Sequence, residues 1–222
     1  MEDYLSEKEQ WEWLKTQVRE SGVAVLAAIV IGLGVVFAYR WWQARLDTAR
    51  LAAGAKYMSM VQALERGDRS QALVDLGELE REHAGSAYTD QARLLAARVY
   101  VDSNELDKAA AELADVSEHA KDRDLAQIAR LRLARVQISQ GKTDAALATI
   151  GDAAGVGAFA ARYHEVRGDA LYAKGDKAGA LTEYRSAQTA DPATDAQLLN
   201  LKVADLASAA APAKPAAPAP AK

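Results

Sequence analysis

The segment GDALYAKGDKAGALTEYRSAQTADP, residues 168–192, carries the clearest folding pattern of this 222-residue chain. A small-plus-polar break at Gly175 and Asp176 separates two segments of helical length and composition. Ala180 follows five residues after Gly175, where a small side chain lets the preceding helix come close. Tyr184, four residues further on, lies on the same helix face and fills the gap. The pattern predicts two antiparallel helices joined by a tight turn.

The same break recurs along the chain at spacings of 37, 37 and 34 residues (67 to 104, 104 to 141, 141 to 175). The four breaks are Gly67-Asp68, Asn104-Glu105, Gly141-Lys142 and Gly175-Asp176. The fifth position after each is alanine, at Ala72, Ala109, Ala146 and Ala180, and the ninth is large and apolar, at Leu76, Leu113, Ile150 and Tyr184. A fixed period of this length predicts a repeat protein in which stacked helical hairpins bury one another's apolar faces.

The last unit is similar to the 34-residue tetratricopeptide pattern. The matching positions are Gly168, Leu171, Gly175, Ala180, Tyr184, Ala187 and Pro192. His164 and Arg167 replace the usual Trp and Leu, so the repeats are divergent. The predicted fold is all-α, a tetratricopeptide-like α-solenoid of about four helical hairpins. The residues assigned to repeat packing are Ala72, Ala109, Ala146, Gly168, Gly175, Ala180, Tyr184 and Pro192.

The C-terminal end of the solenoid requires a cap. A candidate helix from Asp195 to Ala207, with Leu198, Leu199 and Leu206, supplies one. The repeat domain is therefore placed at residues 43–207. Four of the five prolines follow within an Ala- and Lys-rich segment, so residues 208–222 are predicted to be a disordered, extended tail.

A membrane anchor is predicted near the N-terminus, where Gly22–Tyr39 contains 18 residues without charge or proline. At about 1.5 Å per residue it extends roughly 27 Å, close to the thickness of a bilayer core. A cleaved signal peptide is disfavoured because residues 1–20 hold six acids against three bases. A buried core helix would show a polar stripe, which is lacking. Trp41 and Trp42 fit an interfacial belt, so the anchor is placed at residues 21–42.

Orientation is not decided by the flanking charges, because three basic residues on each side tie under the positive-inside rule. They are Lys8, Lys15 and Arg19 before the span, and Arg40, Arg45 and Arg50 after it. Small residues at Ala24, Ala28 and Gly32 form a face on which another membrane helix could dock, or are lipid-compatible filler.

Residues 1–20 form a short segment before the span. Ser6 and Glu9 have the spacing of a capping box, which predicts a short amphipathic helix over residues 6–20. It rests on the membrane surface or docks to a partner through Trp11.

Catalytic chemistry finds no support in the sequence. There is no cysteine, and His83, His119 and His164 lie far apart, so neither metal-ligand spacing nor a nucleophile motif is present. The net charge of −4 (27 basic minus 31 acidic residues) disfavours nucleic-acid binding. We expect a protein-binding scaffold that needs no cofactor.

Binding is expected in the concave groove, which first helices of such repeats line. Carrying their positions along the period selects Tyr57, Leu94, Arg98, Leu131, Arg135, Arg162, Glu165 and Tyr172. Arg98 and Arg135 lie one period of 37 residues apart, and stacked guanidinium groups can hold carboxylates or carbonyls of an extended segment. The alternative is that these arginines only solvate a helix face or pair with nearby acids.

The whole arrangement resembles the YfgM family, the ancillary subunit of the bacterial SecYEG translocon, over residues 1–207. The similarity is carried by four runs behind the anchor: Asp47-Thr48-Ala49-Arg50, Asn104-Glu105-Leu106-Asp107-Lys108-Ala109-Ala110, Leu131-Arg132-Leu133-Ala134-Arg135-Val136-Gln137 and Arg167-Gly168-Asp169-Ala170-Leu171-Tyr172-Ala173-Lys174-Gly175-Asp176. The resemblance implies an inner-membrane protein with a cytoplasmic N-terminus and periplasmic repeats. It also implies association with the translocon and with a membrane-anchored chaperone, PpiD.

Under this resemblance the repeats hold the chaperone or receive translocating polypeptides. A second hypothesis is a scaffold for cytochrome c maturation or cell-wall machinery. A third is a membrane-anchored enzyme, which would need a polar cluster that no motif reveals.

Overall fold

The structure, a computed structural model, describes residues 7–151, 155–191 and 196–210. Within these ranges the chain is helical and contains no strand, so the all-α prediction is confirmed. The described helices are α1 (Glu7–Glu65), α2 (Arg69–Glu82), α3 (Ala87–Asp102), α4 (Leu106–His119), α5 (Arg123–Ser139), α6 (Thr143–Ile150), α7 (Ala160–Lys174), α8 (Lys177–Ala190) and α9 (Ala196–Ala210), with a 3-10 turn at Gly157–Phe159.

The chain divides into two compact units, with the boundary after Ala52. The first unit contains the apolar part of α1, whose most apolar 18-residue window has a mean hydropathy of 2.5 and contains no buried residue. By length and composition this helix can cross a membrane. The guanidinium of Arg45 lies 4.8 Å from the centre of the Trp41 ring, beside the predicted interfacial belt.

Two expectations for the first unit have different outcomes. The predicted short helix over residues 6–20 does not end there, because α1 begins at Glu7 and continues past residue 20 without a proline. Ala24, Ala28 and Gly32 are exposed, and no atom lies within 4 Å of where a Cβ on Gly32 would be. Their role as a docking face stays a prediction.

The second unit, from Ala53 onward, is built on four copies of one helix-ending turn. In each, the residue at the predicted break is left-handed, with φ of 77° at Gly67, 58° at Asn104, 74° at Gly141 and 94° at Gly175. The next N–H donates to the carbonyl five residues earlier at 2.8 or 2.9 Å, which is the Schellman motif. Glycine and asparagine adopt this conformation most readily, so the breaks are encoded locally.

The alanines of the repeat pattern lie where the helices approach. Ala72, Ala109, Ala146 and Ala180 are all fully buried. The large residues paired with them, Leu76, Leu113, Ile150 and Tyr184, are buried as well. Four apolar clusters follow one another along the unit, and each of the first three joins three successive helices, from α1–α2–α3 to α5–α6–α7. Each hairpin therefore completes its core only with the next.

The C-terminal part also fits a cap. Leu199 and Leu206 of α9 pack with Ala180, Tyr184 and Ala187 of α8 in the fourth cluster. The helix extends to Ala210, three residues beyond the predicted end, so residues 208–210 are helical rather than part of the tail. Pro192 and residues 211–222 lie outside the described residues.

Gly168 of α7 is a point of close helix approach. A Cβ on it would lie 2.5 Å from Cε1 of the buried Tyr184 ring. We expect Gly168→Ala to lower the free energy of unfolding by about 1–2 kcal/mol, since overpacking outweighs the gain in helix propensity. Urea unfolding of the full-length protein in detergent, followed by circular dichroism, measures this.

Gly77 of α2 is the matched control, because no atom lies within 4 Å of its added Cβ. There the same substitution should raise stability by about 0.5–1 kcal/mol. Equal effects at the two glycines would contradict the packing interpretation.

Candidate protein-binding groove

The first helices α3 and α5, and α5 and α7, contact each other in succession and form one continuous surface of the second unit. Two cavities adjoin along this surface, and both are lined by Arg132 and Arg135 of α5. We call this surface the groove. The first cavity has a volume of about 560 Å³ and the second about 640 Å³, each in the range of ligand pockets.

The structure brings the predicted groove residues together in two sets. Tyr57, Leu94, Arg98 and Arg135 line the first cavity. Leu131, Arg135, Arg162 and Glu165 line the second. Tyr172 lies apart, in a smaller cavity of about 270 Å³ that also contacts Asp169 and Lys202. That these residues bind a partner stays a prediction.

The predicted groove residues differ in burial, and therefore in whether their side chains can contact a partner. Leu94 and Leu131 are nearly buried and belong to the core, so they contribute only cavity floor. Tyr57 packs against the first cluster, with its ring centre 6.0 Å from that of Tyr88. Among the predicted residues of these two cavities, the exposed ones are Arg98 and Arg135.

Glu165 is the carboxylate of the second cavity around which the cations gather. Its side chain is only 6% exposed, and cations from three helices surround it. Lys202 Nζ of α9 lies 3.0 Å from Oε1, Arg162 Nη1 of α7 lies 3.1 Å from Oε2, and Arg135 Nη2 of α5 lies 3.7 Å from Oε2. Burial opposes its charge, but the hydrogen bond from Lys202 and the surrounding cations outweigh it and lower the pKa of Glu165.

Lys202 also binds a second carboxylate of α7. Its Nζ lies 2.7 Å from Oδ1 of Asp169, which accepts a hydrogen bond from the Tyr184 hydroxyl at the same distance. Burial favours the neutral amine, yet the two carboxylates dominate and raise the pKa of Lys202. The capping helix is thus tied to the groove by a network of charges rather than by apolar contact alone.

Three charged residues that line the groove, Arg132, Asp169 and Lys202, were missed by the repeat pattern. Arg132 lies one helical turn before Arg135, so the i,i+3 spacing could have found it. Lys202 carries no such signal, because the sequence pattern of α9 indicates only its apolar face.

Metal chemistry has no visible site in the part of the chain that the structure describes, where no group of three His, Asp or Glu side chains could hold an ion. His164 instead lies 2.8 Å from Glu183, and His119 is exposed beside Asp115. The first is a part-buried contact between α7 and α8, and the second is an exposed contact within α4.

Comparison with known proteins agrees with this architecture. Residues 15–208 match a family described as "Tetratricopeptide repeat-like domain". The chain is 34% identical over 209 residues to a protein of Escherichia coli (strain K12) named "Ancillary SecYEG translocon subunit", covering 93% of this chain and 99% of that one. This chain belongs to that family. A Haemophilus influenzae member of the same name is 26% identical over 202 residues, covering 91% and 98%.

A solved structure adds support for the fold of this member of the ancillary subunit family. It is described as "MamA RS-1 ArsTM double mutant", and it superimposes with a TM-score of 0.52 over 71% of this chain and 95% of its own. At 16% sequence identity this similarity concerns the fold alone.

The charge network around Lys202 can be tested in this family member directly. We expect Lys202→Met to lower the free energy of unfolding by about 1–2 kcal/mol, because Glu165 and Asp169 lose their shared cation. Adding Glu165→Gln should cost less in this background than in the parent protein, as a double-mutant cycle in urea would show.

Lys174 provides the matched control. It pairs with Asp144 at 2.8 Å, but the two side chains are 51% and 82% exposed. Lys174→Met should therefore change stability little, because solvent screens an exposed pair. Equal losses of unfolding free energy for the two lysine variants would show that the network at Lys202 stabilises the protein no more than an exposed ion pair does.

Proposed function

We propose that this protein is a non-catalytic, membrane-anchored scaffold that associates with the SecYEG translocon. The observation that carries the proposal is the end-to-end similarity to the E. coli protein named as the ancillary subunit of that translocon. The apolar, exposed part of α1 supports an inner-membrane anchor, and the solenoid supports a binding rather than a catalytic role.

We further propose that the N-terminus is cytoplasmic and the repeat domain periplasmic. A candidate span ahead of the repeat domain fits this topology, although the flanking charges do not choose it. Protease treatment of spheroplasts should digest the repeat domain and leave the anchor with its stub. Protection of the repeat domain until the membrane is lysed would reverse the orientation.

The groove is the proposed contact for a PpiD-like chaperone or for translocating polypeptides. It lies along the first helices, and it presents arginine side chains over an apolar floor. Arginine suits carboxylates and carbonyl groups of a peptide segment, because its planar guanidinium carries five donors.

Affinity purification tests both parts of the proposal. Full-length tagged protein is extracted from native membranes in mild detergent, and its partners are identified by mass spectrometry. Translocon subunits together with an anchored chaperone are the expected result. Recovery of haem-maturation or cell-wall machinery without the translocon would contradict the translocon association.

Substituting the groove arginines should separate anchoring from capture. We expect Arg98→Ala with Arg135→Ala to lower chaperone recovery at least about fivefold, since two charge-assisted contacts are lost. Arg123→Ala with Arg185→Ala removes two exposed arginines outside the groove and should leave recovery unchanged. Unchanged recovery for the groove variant, with helicity retained, would direct attention to the opposite face or the span.

A further inference from the structure

The first cavity of the groove differs from the second in its charge. Its floor is apolar, with Leu95, Val101 and Val136 among the lining residues, and its cationic groups are Arg98, Arg132 and Arg135. Among the described residues, no aspartate or glutamate lines this cavity.

Two of these arginines, Arg98 and Arg132, make little use of their charges within the described part of the protein. Arg98 approaches only Asp102, at 3.9 Å, and the two side chains are 78% and 69% exposed. Arg132 is exposed and forms no ion pair with a residue in the ranges 7–151, 155–191 and 196–210. Arg135 Nη2 lies 3.7 Å from Oε2 of Glu165, whereas Lys202 Nζ lies closer to this carboxylate, at 3.0 Å from Oε1. The exposed contact of Arg98 contributes little, so the charges of Arg98 and Arg132 remain available to a ligand, and Arg135 adds its charge while it also pairs with the buried Glu165.

Some cations elsewhere on the same solenoid are already paired with acids. Arg93, only 18% exposed, pairs with Glu80 of α2 and with Asp115 of α4. In the second cavity, Glu165 already accepts Lys202, so its charge is matched internally. The first cavity therefore presents arginines with no acid in its lining, whereas the second is also lined by Glu165 and Asp169.

We propose that the first cavity binds acidic, apolar segments of partner proteins, each with a few large apolar side chains flanked by carboxylates. This inference rests on the proposed use of the groove for protein binding and adds its selectivity. The apolar side chains would be buried on the floor, and the carboxylates would accept hydrogen bonds from the arginines. Basic segments are disfavoured because like charges repel across the cavity.

Defined peptides test the selectivity. Four fluorescein-labelled peptides of about twelve residues are compared: three share the same three leucines with glutamate, lysine or serine between them, and the fourth keeps the glutamates but replaces leucine with serine. Full-length protein in nanodiscs of zwitterionic lipid is titrated by fluorescence anisotropy, with empty nanodiscs as the background. The glutamate–leucine peptide should bind at least about tenfold more tightly than the other three and should weaken as salt is added.

Variants locate the site. Arg98→Gln with Arg132→Gln should weaken the glutamate–leucine peptide about tenfold, and Arg123→Gln with Arg185→Gln, which makes the same charge change outside the groove, should not. Both groove arginines are exposed, so the core is untouched. Val101, 41% exposed on the floor, offers an independent variant: Val101→Ser should weaken binding about threefold.

Several results would overturn the inference: equal or tighter binding of the lysine–leucine peptide, binding without leucine, or unchanged affinity in both groove variants. The test is separate from that of the translocon association. Translocon recovery without peptide selectivity overturns only the selectivity, and selective peptide binding without translocon recovery overturns only the association.

Discussion

Replacing Tyr184 with alanine is expected to lower the free energy of unfolding by about 3–5 kcal/mol. The side chain is 3% exposed, and its ring occupies the space above Gly168 of α7. It packs in the cluster that holds α9 through Leu199 and Leu206. Removing the ring therefore leaves a cavity at the junction of three helices, which cannot collapse without moving the cap.

Two further tyrosine variants separate the contributions. Tyr184→Phe removes only the hydroxyl that donates to Asp169 and should cost about 1 kcal/mol, because Lys202 still binds that carboxylate. Tyr172→Ala makes the same truncation at a side chain that is 47% exposed, so its cost should be below about 1 kcal/mol. Urea unfolding of the full-length protein, followed by circular dichroism, measures all three. Similar losses at positions 184 and 172 would contradict the structure of this junction.

The second large effect is expected at Glu112 of α4, which faces another carboxylate. Burial raises its pKa to about 7, and the neighbouring charge of Glu80 on α2 adds to this effect. Arg93 of α3 opposes the shift, with Nη1 3.9 Å from Oε2 of Glu112, while Asp115 of α4 reinforces it. The buried Oε2 accepts no hydrogen bond from the described residues.

The sign of the pH dependence follows from this raised pKa. Between about pH 4.5, the ordinary value, and about pH 7, the folded protein binds more protons at Glu112 than the unfolded chain does. The contribution of Glu112 therefore makes the protein more stable as the pH falls through this window. Above about pH 7 the ionised carboxylate costs about 2–3 kcal/mol.

Glu112→Gln removes that cost. We expect the variant to be more stable than the parent protein by up to about 2–3 kcal/mol above pH 7, and to show no gain near pH 4.5. Urea unfolding of both proteins over this pH range gives the difference curve. A gain independent of pH, or a loss at high pH, would contradict the proposed ionisation.

Glu105 is the control with the opposite sign. Hydrogen bonds from Lys108 and Arg69 lower its pKa, so its ionised form favours the folded state. Glu105→Gln should therefore reduce stability at neutral pH, and the difference should disappear as the pH falls below the ordinary range of a glutamate.

The repeat fold could be predicted because its signals are local. Gly67 and Asn104 end their helices in the left-handed region, which few other residues adopt without strain. Ala72 and Ala109 mark the close contacts because the period of a helix fixes which face they occupy. Each hairpin is specified by one period of the sequence. Because the period recurs, the spacing of the turns and alanines could be recognised as a repeat.

The groove was predicted only in part. Repeat register placed Arg98 and Arg135 at the first cavity, because corresponding residues of successive first helices share a face. The same register selected Glu165 as a groove residue. It did not predict that three cations would surround the Glu165 carboxylate. It gave no indication that Lys202 would come from the capping helix.

The sequence by itself determined the apolar anchor, the four helix-ending turns and the small residues at helix contacts, since each depends on the conformational preference or polarity of neighbouring residues. Only the tertiary structure decided the charge relations. Lys202 meets Glu165, and Glu112 meets Glu80, across separate helices. These contacts depend on how the helices cross and on how deeply the side chains are buried. A buried charge stabilises the fold only when an opposite charge lies beside it, and otherwise lowers the free energy of unfolding.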